Sequence, residues 1–159
     1  MLFKKIYLDT NVFIKAFEGS ADDALAHGLI SMFEAATSGR QPPFVTSHIT
    51  LAEMLIHPFR NGDTQAQQRY TSLLSSSGPW LQIRAIDQQV LVLAARLRGM
   101  SSLKLPDAIH AATAMLTDCS HVLSHDTDFT SVPVADRQHL QPLSLSNQSV
   151  DDILGWLRA

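Results

Sequence analysis

A single cysteine, Cys119, stands in 159 residues. No disulfide can close within the chain, and a cysteine-rich zinc or iron–sulfur site is excluded. A reducing compartment suits such a chain, so the cytoplasm is the expected location. No apolar run approaches the roughly 18 residues of a membrane-spanning helix, and no membrane partner is expected. The opening stretch MLFKKIYLDTNVF carries two lysines, but Asp9 and Asn11 break its apolar run within a few residues. A signal peptide is not expected there. Charged residues make up 17% of the chain and the formal net charge is −3. That balance offers no general attraction to nucleic acid, so any such partner must meet a local basic patch. Several glycine- and histidine-based motifs are also missing: G-x-x-x-x-G-K, G-x-G-x-x-G, G-x-S-x-G and H-E-x-x-H. Phosphate loops, dinucleotide fingerprints, nucleophile elbows and zinc-protease helices therefore find no support.

What the chain has is 45% hydrophobic residues, set in short strand-like runs that alternate with longer helical ones. That alternation predicts an α/β fold with a parallel sheet, and the length suits one domain over 1–159. Strands are expected over 4–9, 43–47, 80–86, 121–129 (running into a turn) and 140–145. Helices are expected over 11–17, 22–39, from 49 to about His57, and over 64–76, 87–99 and 105–118. Pro58 interrupts the third of these. A short closing helix is expected at about 149–158.

The acidic residues fall at strand ends and helix starts, where open α/β sheets bind ligands. Asp9, with Thr10 and Asn11, sits where a strand ends and a helix begins, so helix capping accounts for it as readily as metal binding does. Glu53 shares a narrow polar stripe with Thr50 and His57 on an otherwise apolar helix. That stripe faces either solvent or a polar pocket, because an unpaired buried carboxylate is costly. Asp107 follows Pro106 in a first helical turn, a favoured place for a carboxylate. His110 lies one turn on, beside Ala111 and Ala114, on a face that close packing explains. Asp126 and Asp128 follow the strand-like HVLS, in a turn that an Asx motif explains as well. Gathered on one rim, these like charges repel and need a cation. An all-oxygen set suits Mg²⁺ or Mn²⁺ rather than zinc, for which His121 and His125 are the sole nearby ligands.

With these residues assembled, the chain resembles the PIN-domain nucleases, especially the VapC-type toxins of bacterial toxin–antitoxin pairs. YLDTNVFI, TSHITLAEML, LKLPDAIHAATA and VLSHDTDF carry the resemblance, in the family's order and over nearly the whole chain. It implies a three-layer α/β/α sandwich on a mainly parallel sheet of four to five strands. It also implies a Mg²⁺- or Mn²⁺-dependent endoribonuclease acting on RNA. Asp9, Glu53 and Asp107 match the first three family acids. Asp126 is favoured as the fourth metal ligand, with Asp128 the alternative in the same turn. Thr10 and Asn11 match residues that brace the first acid, and Ser47 matches a small hydroxyl residue near the site. The implied partners are RNA, a small antitoxin that often presents an arginine, and a second copy of the chain in a homodimer.

Overall fold

A computed structural model describes residues 3–132 and 140–159. Five strands form one sheet: β1 Ile6–Leu8, β2 Phe44–Ser47, β3 Leu81–Arg84, β4 His121–Ser124 and β5 Gln141–Ser144. The helices are α1 Thr10–Glu18, α2 Ala24–Ala35, α3 His48–Asn61, α4 Thr64–Leu73, α5 Gln88–Gly99, α6 Leu105–Leu116 and α7 Asn147–Leu157. The strand order is β3-β2-β1-β4-β5, with every neighbouring pair parallel.

Strand periodicity sorts the core into two layers, because successive side chains point to opposite faces. Ile6, Leu8, Phe44, Leu81 and Leu123 face one way, against residues of α1, α2, α3, α4 and α7. Tyr7, Val45 and Val122 face the other way, against Val90, Ala94 and Leu97 of α5 and the alanines of α6. The central strands β1, β2 and β4 are buried on both faces, whereas β5 is largely exposed. Pro142 is tolerated in that strand because a sheet edge does not require its missing N–H.

The order of the strands fixes where a ligand belongs. The chain leaves β1 toward β2 and leaves β4 toward β5, in opposite directions, so the β1/β4 pair marks the topological switch point. The carboxyl ends of these two strands are the acid-bearing segments Asp9–Asn11 and Asp126–Asp128.

Two expected boundaries need correction. The helix expected to stop near His57 continues through Pro58 to Asn61. A proline removes its own N–H donor, but the residues after it keep theirs. Gly62, at φ 66° in the left-handed region, then ends the helix, its N–H and that of Asp63 closing back on the last turn. The helix expected over 22–39 ends at Ala35 and tightens into a 3-10 turn, Ala36–Ser38. The strand expected to run into a turn within 121–129 does so after Ser124, where the side chains of Ser124 and Asp126 take over the backbone hydrogen bonding.

Candidate active site

Asp9 caps α1 and gathers hydrogen bonds from two strand ends. Its Oδ1 accepts the Thr10 N–H at 2.7 Å, starting α1. Its Oδ2 accepts Asn11 Nδ2 at 2.7 Å and the Ser124 hydroxyl at 2.6 Å. Asn11 reaches across in turn, its Oδ1 accepting the His125 N–H at 3.0 Å. Ser124 Oγ also accepts the Asp126 N–H at 2.8 Å. The ends of β1 and β4 are thereby laced together around one carboxylate that is only 5% exposed.

Glu53 turns inward from α3 rather than to bulk solvent. Its Oε2 accepts the Thr10 hydroxyl at 2.5 Å and lies 2.8 Å from His110 Nε2. That nitrogen is also 3.3 Å from Asp9 Oδ1. On the far side of the ring, Nδ1 lies 2.8 Å from the Tyr7 hydroxyl. The Tyr7 hydroxyl is also hydrogen-bonded to Ser47 Oγ at 3.0 Å, which ties the ring to the end of β2. Burial alone pushes the His110 pKa down, yet the Glu53 hydrogen bond and the charges of Asp9, Glu53 and Asp107 together raise it. Burial likewise pushes Glu53 up, but the His110 hydrogen bond and charge, with the Thr10 hydroxyl, hold it below its ordinary value. Tyr7 is raised chiefly by burial and stays a neutral phenol.

The other three acids converge. Carboxylate oxygens of Asp107, Asp126 and Asp128 all lie within 4.8 Å of one another. Asp107 is held in the first turn of α6, while Asp126 and Asp128 belong to one Asx turn in which Asp126 Oδ1 accepts the Asp128 N–H at 2.9 Å. Burial, and next the charge of Asp126 and that of Asp9, push the Asp107 pKa above its ordinary value. An uncompensated cluster of this kind is the electrostatic demand that a cation relieves. Its chemistry fits Mg²⁺ or Mn²⁺: oxygen ligands only, partly open to water, and close enough together to share one small divalent ion.

The structure thus joins Asp107, Asp126 and Asp128 directly, and joins Asp9 to Glu53 through His110. Thr10 and Asn11 touch those acids themselves, whereas Ser47 reaches them only through Tyr7 and His110. From the sequence, Tyr7 and Ser124 are assigned no role and His110 is not counted as catalytic. A tyrosine in an otherwise apolar strand and a histidine one turn after Asp107 were the available signals. His121, considered for zinc, begins β4 at the end of the sheet away from this rim, packed against Phe3. Among the cations, Lys15 pairs with Asp23, Arg84 with Asp87 and Lys4 with Asp118. Lys104 stands exposed as the residue before α6.

A doubly wound parallel sheet with carboxylates converging on its switch point defines an α/β protein whose ligand-binding rim is acidic. The PIN domain family model matches residues 6–135, and the chain belongs to that family, whose nucleases its motifs resemble. A toxin–antitoxin complex from Klebsiella pneumoniae contains a chain 25% identical, with 90% of this chain and 98% of that one covered at a TM-score of 0.61. The DNA-bound VapBC of Salmonella typhimurium aligns at 18% identity over 92% and 100% of the two chains, with a TM-score of 0.61. VapC20 of Mycobacterium tuberculosis, a toxin that cleaves the sarcin–ricin loop, aligns at 18% identity over 79% and 93%, with a TM-score of 0.60. No curated protein matches the chain.

Proposed function

We propose that this chain is a ribonuclease toxin of a toxin–antitoxin pair, cleaving RNA phosphodiester bonds with Mg²⁺ or Mn²⁺ at the rim of β1 and β4. The observation that carries the reading is the convergence of Asp107, Asp126 and Asp128 beside Asp9 at the switch point of a PIN fold. The similarity to chains of toxin–antitoxin complexes supports the biological setting. Asp107, Asp126, Asp128 and Asp9 are the residues that hold the ion. The chemistry such an ion supplies is polarisation of the phosphodiester and activation of water.

The protein's own groups do the positioning. Thr10, Asn11 and Ser124 fix the Asp9 carboxylate, and the Asx turn fixes Asp126 against Asp128. Lys104, at the start of α6 on the rim that carries Asp107, gives the RNA backbone a cation near the acids. The expected partner is a small antitoxin whose arginine enters the acidic pocket, since a guanidinium bridges carboxylate oxygens bidentately. We read the chain as one nuclease domain acting in the cytoplasm as a homodimer. No helix among the described residues is long and apolar enough to cross a membrane.

Induced expression in bacteria tests the toxin reading. Wild-type protein is expected to arrest growth and Asp9→Asn to relieve the arrest. Harmless expression of a protein that cleaves RNA in vitro would instead make it a housekeeping nuclease. Harmless expression of a protein that only binds RNA would make it a scaffold.

A further inference from the structure

We infer that His110 divides the five acids into two groups, holding Glu53 out of the ion's ligand set and leaving Asp107, Asp126 and Asp128, with Asp9 beside them, to take the metal. The inference rests on the metal-dependent nuclease reading and deepens it, because it gives the family's second acid a different task in this chain.

The geometry is specific. His110 Nε2 lies between two carboxylate oxygens, Glu53 Oε2 at 2.8 Å and Asp9 Oδ1 at 3.3 Å. Both are acceptors, so this nitrogen carries a hydrogen and donates. Glu53 Oε2 receives a second donor, the Thr10 hydroxyl, at 2.5 Å. An ion approaching that oxygen must compete with both the His110 N–H and the Thr10 O–H. The His110 side chain is 1% exposed, and a charged or polar donor deprived of its partner at such depth is costly. The ring cannot easily turn away, because Tyr7 holds Nδ1 at 2.8 Å and Ser47 in turn holds Tyr7. Ser47, Tyr7, His110 and Glu53 therefore form one chain of hydrogen bonds from the end of β2 to α3. By contrast, Asp107, Asp126 and Asp128 are mutually close, and among the described residues the donor on their carboxylates is the Asp128 backbone N–H on Asp126 Oδ1 rather than a buried side chain. His110 acts here as a positioning residue, through Glu53 and Asp9.

Crystals of the full chain grown with Mn²⁺, the ion located by its anomalous scattering, provide the test. The expected result is an ion on Asp107 and Asp126 or Asp128, with the Glu53–His110 contact kept and no Glu53 oxygen at the ligand distance of about 2.1 Å. In His110→Leu, Glu53 is expected to swing into the ligand set, and kcat to fall with little change in the KM for RNA. His110→Gln places an amide N–H near the same point and is expected to recover part of that loss, which a packing role alone does not predict. A Glu53 oxygen bound directly to Mn²⁺ in the wild type, with His110 released, would overturn the inference while leaving the nuclease reading intact. No ion anywhere among these acids would overturn both.

Discussion

Asp107 is the residue at which the cost of the site is most visible. Burial first, and then Asp126 and Asp9, raise its pKa, so across that range the native state holds a proton the unfolded chain has lost. Stability then falls as pH rises from the unfolded value through the raised native one. Asp107→Asn is expected to raise the melting temperature of the metal-free protein at pH 7, to lose that advantage at pH 3, and to lower RNA cleavage by about a hundredfold or more. Thermal scans at the two pH values, beside single-turnover cleavage, check both halves. A variant that melts lower at pH 7 would mean that the acids do not repel. The buried pair behaves in the opposite sense. His110, raised by its carboxylate neighbours, contributes stability below its unfolded value of 6.5 that is lost as pH rises through its higher native value. Glu53, held low by His110, contributes stability above its unfolded value of 4.5 that is lost as pH falls through its depressed native value. Glu53→Gln should therefore destabilise most between these limits, from about pH 4.5 to 6.5, which denaturant titration across pH would detect. Of these residues, the acids were legible because motifs carry them. His110 was not, because whether a histidine one turn from Asp107 packs or bridges depends on α3, which arrives from a distant part of the chain.

At the scale of elements, caps and stops do the local work. Asp23, Asp63 and Asp87 each accept N–H groups at the starts of α2, α4 and α5, and these starts agree closely with the expected ones because a cap is a local signal. The end of α3 was misjudged for a related reason: proline is a strong local signal, and here Gly62 four residues later is the effective stop. A Cβ at Gly62 meets nothing within 4 Å, but φ is 66°. Gly62→Ala should thus cost about 1 kcal/mol purely through the backbone, with Gly62→Asn costing less, as equilibrium unfolding will measure. An equal cost for both would point to a lost contact rather than to conformation. The α6 alanines were read correctly as a close-packing face. Ala108, Ala111, Ala112 and Ala114 are wholly buried and bring Asp107 and His110 up to the sheet rim.

For the molecule as a whole, the all-parallel order was expected from the alternation of elements, whereas the two-way split of the acids was not, since it arises only when five segments meet on one rim. In the proposed function that rim is both catalytic centre and receptor for an inhibitor. A co-expressed small antitoxin should accordingly bind the wild type at least about tenfold more tightly than Asp107→Asn/Asp126→Asn, because the guanidinium loses two carboxylates. Equal affinity, measured by calorimetry, would place inhibition elsewhere on the surface. The most direct test of the central claim is digestion of total RNA by purified wild type and Asp107→Asn in Mg²⁺, Mn²⁺ or EDTA. The account predicts cleavage by the wild type with either ion, none in EDTA, recovery when Mn²⁺ is restored, and none by the variant. Cleavage that persists in EDTA, or that Asp107→Asn performs as well as the wild type, would contradict it.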